Sequence, residues 1–194
     1  SLQLVVEEAS GLSFEDYMSE AVFTPLGMEN TGYRHDEITN LAQYFDETGQ
    51  VRNYPFYTSL AATGLYTSAN DLYKFAALHF PDTTLPATTL PGATIPDVKT
   101  TDIKTTDENK LAAPLLSRKT LEAMRTPHAA TMGIDIWGIG TMLYTGNNDG
   151  GYIIGHGGQS PSLNASLRVN PTNGNAIIIL TTGNRALAAD TATK

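Results

Sequence analysis

From residue 152 to residue 180 the sequence reads as successive strands, and the chain reverses through segments too short for anything but antiparallel neighbours. Residues 152–157 read as one strand. Leu163, Ala165, Leu167 and Val169 then alternate with Asn164, Ser166 and Arg168, which predicts a half-buried strand. Pro171-Thr172-Asn173-Gly174 turns the chain into the unbroken apolar run 176–180, which predicts a fully buried strand. Upstream, Asn147-Asn148-Asp149-Gly150-Gly151 is a hairpin turn, and residues 134–144 form the strand before it.

The first two thirds of the chain carry helical signals instead. Apolar spacing predicts a helix to Ser10, stopped by Gly11. Ser13-Phe14-Glu15-Asp16 has the capping-box pattern and starts a helix over 14–23, ended by Pro25 and a turn at Pro25-Leu26-Gly27-Met28. Residues 29–60, rich in Asn, Gly, Tyr and Asp, predict loop with short strands. Ser68-Ala69-Asn70-Asp71 caps a helix with Leu72, Phe75, Ala76 and His79 on one face, closed by Pro81. Residues 81–107 hold nine Thr and four Pro, with Asp97-Val98-Lys99-Thr100-Thr101 repeated as Asp102-Ile103-Lys104-Thr105-Thr106. This reads as a solvated insertion. A further helix starts at Ser117 and ends near Thr126, and residues 184–194 have helix-forming composition. The fold class is α+β, helices packed on an antiparallel sheet.

A chain of 194 residues can bury a core. Twenty acidic against twelve basic side chains leave a net charge of −8 with no basic run, which argues against nucleic acid or an anionic membrane as partner. No apolar stretch approaches the ~20 residues of a membrane span. The absence of cysteine excludes disulfides and thiolate metal sites. The chain opens inside an amphipathic helix, which suggests a piece of a longer protein.

Chemistry concentrates at Gly155-His156-Gly157-Gly158-Gln159-Ser160. A histidine at the end of a strand puts a titratable ring beside glycines that leave room for a ligand or a second backbone. The structural alternative is a hairpin strand using its glycines for twist or a bulge. His35, His79 and His128 have no metal spacing. His79 is expected to pack on its helix, the other two to be solvated. No Gly-x-Ser-x-Gly elbow, Walker loop or His-Glu-x-x-His occurs, and no serine has a lysine three residues on. Tyr17-Met18-Ser19, Tyr57-Thr58-Ser59 and Tyr66-Thr67-Ser68 match a Tyr-x-Ser base element by letters. Tyr17 sits within a predicted helix and Tyr66 just before a cap, so both read as structural.

Several segments together resemble the serine β-lactamase and penicillin-binding-protein family, in its class C-like and esterase branch. They are the helix–Gly–helix step over 7–17, Pro25-Leu26-Gly27-Met28-Glu29-Asn30-Thr31, the segment from Gly64 to Phe75, and Gly155-His156-Gly157-Gly158 as the family's third motif, Lys/His-x-Gly. The resemblance covers most of residues 1–184, with the insertion at 81–107 as the main departure. It implies that 1–194 is the C-terminal portion of a single β-lactamase-like domain, because the family's Ser-x-x-Lys and Tyr-x-Asn motifs would precede residue 1.

On that resemblance His156 and Gln159 are the catalytic positions. His156 would donate a hydrogen bond or positive charge, and the Gln159 N–H would be one of two oxyanion donors. One such donor is worth about 3 kcal/mol in the transition state. Gly157, Gly158 and Ser160 are the substrate-binding positions, where an acyl substrate lies along the strand edge. Neither metal nor cofactor is implied. The implied partner is a small-molecule or peptide-like acyl substrate, and histidine in place of lysine leans toward an ester or peptide. Exposed apolar faces are expected to associate with another copy or with the missing half. Family habit places the protein in the periplasm or outside the cell. A non-catalytic binding module and an interaction domain of the same fold are the competing readings.

Overall fold

The structure is a computed structural model that describes residues 2–34, 36–38, 40–46, 48–80, 115–130, 136–144, 151–160 and 162–183. The Thr-rich segment 81–107, the turn at 147–150 and the tail from 184 lie outside them.

Serine caps start three helices for one reason. In each, a hydroxyl oxygen accepts the backbone N–H three residues on, a donor that the first helical turn leaves without a partner. Ser13 does this for α2 (Phe14–Met18), Ser68 for α4 (Ala69–Ala77) and Ser117 for α5 (Arg118–Arg125). The helix α1 (Leu2–Ser10) ends at Gly11, whose φ of 71° is left-handed. Beyond Met18 the chain continues as a π-helical turn, Ser19–Phe23, so the predicted helix over 14–23 is present with its last turn widened. A short hairpin of β1 (Tyr44–Phe45) and β2 (Val51–Arg52) and the single turn α3 (Leu60–Thr63) complete this half. None of the described helices is long and apolar enough to cross a membrane.

The second half is a six-stranded antiparallel meander in chain order. Its strands are β3 (Ala129–Ala130), β4 (Ile136–Trp137), β5 (Met142–Tyr144), β6 (Ile153–Ser160), β7 (Leu163–Asn170) and β8 (Asn175–Thr182). Ala76 and Phe80 from the α4 segment pack on Leu143, Ile154 and Val169 of the sheet, with Tyr73, Leu167 and Ala176 around them. Phe80, Leu143, Ile154 and Val169 each contribute about 1.5–3 kcal/mol on burial. The fold is α+β.

Three expectations change. The strand predicted over 134–144 is two strands, broken where Gly140 takes a φ of 70° and Gly138 N–H donates to the Thr141 carbonyl at 2.9 Å. On β7 the alternation is right, but the polar face is buried as well, while Val169 of the apolar set lies in the core. Asn164, Ser166 and Arg168 are buried, while Leu163, Ala165 and Leu167 are half-buried. The two neighbouring strands hydrogen-bond both edges of β7, and the Arg168 guanidinium is accommodated 3.8 Å above the Tyr144 ring, donating to the Leu167 carbonyl. The third change is β8, which is not fully buried. It ends the described sheet, with Ile177 50% and Leu180 38% exposed.

Candidate active site

The pairing of β6 is lopsided. β7 covers it from Ile154 to Ser160, whereas β5 pairs with it only at Ile153, Ile154 and Gly155. From His156 to Ser160, no described strand lies on the β5 side. Among the described residues, that leaves this stretch of backbone edge without a strand partner, as an extended ligand would require.

The glycines differ in what they do. A Cβ on Gly155 would stand 1.9 Å from the Leu167 carbonyl oxygen, so this glycine serves the close approach of β6 to β7. A Cβ on Gly157 would meet the Ala165 carbonyl oxygen at 3.8 Å, and one on Gly158 would meet nothing within 4 Å. Of these three, only Gly158 has no described atom within reach of an added Cβ. His156, Gly158 and Gln159 are exposed, and Gly157 and Ser160 half-buried. All five share the free stretch of β6, so the structure brings the sequence-predicted positions together on one strand.

The His156 ring is held on two sides. Its Nδ1 lies 2.6 Å from the Gly157 carbonyl oxygen. The Trp137 ring meets it edge to face, with centroids 5.6 Å apart. Below the strand, Arg168 Nη1 donates to the His156 carbonyl at 3.4 Å. Sequence reasoning missed Trp137 and Arg168. Trp137 is the chain's one tryptophan, a signal that could have drawn attention to it.

The other polar candidates are structural. Tyr17 lies in α2, and Tyr66 exchanges backbone hydrogen bonds with Gly32. Burial, then Tyr54 and Tyr57, raise the Tyr66 phenol above its usual range. His128 Nε2 meets the Ala123 carbonyl at 3.0 Å at the end of α5. His79 is buried against Phe75, and burial, with Arg125 second, lowers its pKa to about 4. His35 lies outside the described residues. No group of three metal-ligating side chains occurs among the described residues.

The two motifs at 25–31 and 64–75 form a single anchor. Asp71, fully buried, accepts from Asn30 N–H at 2.7 Å, from Thr31 Oγ1 at 2.9 Å and from Lys74 Nζ at 3.0 Å. Lys74 Nζ also donates to the Gly27 carbonyl. A separate polar cavity of about 230 Å³, lined by Glu15, Tyr33, Arg34 and Glu37 among others, contains none of the β6 residues.

The family model described as Beta-lactamase matches residues 1–194. The fold is similar to that of an octameric penicillin-binding-protein homologue from Pyrococcus abyssi, at TM-score 0.68 and 20% identity over 93% of this chain and 36% of that one. A class C beta-lactamase superposes at TM-score 0.70 with 14% identity, over 98% of this chain and 52% of that one. A beta-lactamase/D-alanine carboxypeptidase from Pseudomonas syringae gives TM-score 0.67 and 13% identity over 98% and 55%. The chain thus spans between 36% and 55% of these structures' lengths. No curated protein matches it.

Proposed function

The chain belongs to the beta-lactamase family, and from that premise we propose that residues 1–194 form the C-terminal part of a serine hydrolase of β-lactamase, esterase or D-Ala-peptidase type. One observation carries the reading: the free edge of β6 at residues 156–160, opened by Gly158 beside the exposed His156 ring. An acyl substrate would lie along that edge as an added strand. His156 is the polar group at the reacting end, Gln159 N–H the oxyanion donor, and Gly157, Gly158 and Ser160 the substrate-binding positions. The nucleophilic serine and its lysine would come from a segment preceding residue 1, and the reaction would pass through an acyl-enzyme. The D-alanine carboxypeptidase named among the structural neighbours supports a peptide-like substrate. Family habit supports a periplasmic or extracellular site.

The test compares two proteins. Residues 1–194 alone should neither turn over nitrocefin or a chromogenic ester nor take up a fluorophosphonate probe. The same residues joined to the preceding coding segment should do both. Stoichiometric labelling of a serine within 1–194 would sink the assignment, and so would an unreactive joined protein. Absence of Ser-x-x-Lys and Tyr-x-Asn from the preceding segment would favour a second reading, a non-catalytic module that binds peptide-like ligands on the same edge. In that case the joined protein would bind such a ligand without turnover.

A further inference from the structure

The contacts of His156 decide which of its ring nitrogens carries the proton. Nδ1 lies 2.6 Å from the Gly157 carbonyl oxygen, which can only accept. A neutral ring in that position therefore carries its hydrogen on Nδ1, and Nε2 keeps its lone pair. Rotating the ring by half a turn would place a carbon against the carbonyl and forfeit the bond.

Trp137 resists that rotation. Its ring stands at 61° to the imidazole, with centroids 5.6 Å apart. The frame behind it is stiff. His128 N–H donates to the Trp137 carbonyl at 2.8 Å, and a Cβ on the next residue, Gly138, would collide with the Met124 carbonyl oxygen at 1.9 Å. Trp137 and Met142 are register partners, and Met142 pairs in turn with Gly155, the residue before His156. Two hairpins thus carry the indole to the histidine. The Arg168 guanidinium meets the His156 carbonyl and lies over the Tyr144 ring.

We infer that the Gly157 carbonyl and Trp137 hold His156 as its Nδ1–H tautomer, so that the edge of β6 presents a hydrogen-bond acceptor, Nε2. A lysine in the same place could only donate. The site therefore selects a ligand or catalytic group that brings a donor to Nε2, such as a hydroxyl or an amide N–H. A carboxylate, which only accepts, is disfavoured there. Trp137 is a positioning residue in this arrangement. The ligand preference rests on the reading of β6 as the substrate edge, but the tautomer does not.

Long-range proton–nitrogen correlation spectra of the labelled chain read the tautomer directly. They are recorded above the pH at which the His156 carbon-bound protons stop shifting, and His156→Gln identifies the signals by their loss. Nδ1 should be the protonated nitrogen, favoured by roughly fivefold, the ratio that one net hydrogen bond produces. Trp137→Leu should reduce that ratio several-fold, while Trp137→Phe, which keeps an aromatic edge, should retain most of it. If Leu at this position prevents folding, the Phe variant against wild type still reports the contact. A protonated Nε2, or an even average of both forms, would overturn the inference. A ratio unmoved by loss of the aromatic ring would overturn the part given to Trp137. No substrate enters the measurement, so an unreactive joined protein leaves this result standing, and a failed tautomer leaves the hydrolase reading to its own labelling test.

Discussion

Asp71 reaches the backbone N–H of Asn30 at 2.7 Å, across forty-one residues of chain. Its other oxygen meets Lys74 Nζ at 3.0 Å, and Thr31 Oγ1 donates at 2.9 Å to the oxygen that holds Asn30. A carboxylate with no exposed surface is tolerated because donors surround it. The loop after Gly27 is thereby fixed to the start of α4, and α4 in turn packs on the sheet beneath β6.

Removing that carboxylate should be the most damaging single change in the helical half. Asp71→Ala strands the Asn30 N–H and takes one partner each from the Thr31 hydroxyl, which keeps Thr67, and the Lys74 ammonium, which keeps the Gly27 carbonyl. The expected loss is about 1–3 kcal/mol, as for a buried donor left unsatisfied. Asp71→Asn keeps one acceptor oxygen but turns an NH2 toward donors, so it should fall between Ala and wild type. Urea unfolding followed by circular dichroism checks both. An Asp71→Ala midpoint equal to wild type would refute the anchor.

Gly155 and Gly158 should respond oppositely to alanine. At Gly155 the added methyl overlaps the Leu167 carbonyl, and forced overpacking costs about 1–3 kcal/mol. At Gly158 no atom lies within 4 Å, so stability should change by less than about 0.5 kcal/mol, the usual range for exposed substitutions. Gly158→Ala should instead weaken an extended ligand on the free edge. Paired unfolding and ligand titrations decide it. Equal stability losses at the two positions would contradict the geometry.

Local signals in the sequence were legible where local physics sets the structure. Ser13, Ser68 and Ser117 cap helices because a hydroxyl three residues before an N–H is all that a cap requires. Gly11 could be read as a stop for the same reason. Asp71 shows the limit. Its spacing from Ser68 suggested a reciprocal capping box, and Ser68 does accept the Asp71 N–H, but the carboxylate turns to Asn30 instead. On β7 the period of two was visible, yet which face is more buried depends on what covers each side, and that is not encoded within the strand. For the candidate site, His156 and its glycines stood out on one strand. Trp137 did not, because its contact with His156 depends on the register of two hairpins.

His79 should give the fold an acid-sensitive limb. Its folded pKa, about 4, lies below the ordinary 6.5, because burial and then Arg125 disfavour the charged ring. The unfolded chain therefore takes up the proton first. Stability should be full above about pH 6.5, fall as the pH drops from there to 4, and level off below. The total is bounded near 3 kcal/mol at ~1.36 kcal/mol per unit. Among the described residues its Nδ1 is buried without a partner, so His79→Phe should cost little at neutral pH and flatten this limb. Unfolding midpoints of both proteins from pH 4 to 7 provide the difference. Parallel curves would exclude His79 as the source.

Apolar surface on two elements should drive association in concentrated solution. On α1, Leu2, Leu4 and Val5 are 82%, 63% and 62% exposed, and on β8 Ile177 and Leu180 are half or more than a third exposed. The two elements differ in what they offer. The helix presents side chains alone, whereas β8 also ends the described sheet with a backbone edge that β7 covers on one side only. A second copy, or the preceding segment proposed above, could satisfy either. Light scattering should therefore show mass rising with concentration. Ile177→Lys puts a charge on the edge strand and should suppress that rise if the edge is the contact, while Leu4→Lys should do so if the helix is. A monodisperse monomer at high concentration in the unmodified chain would remove the basis for both.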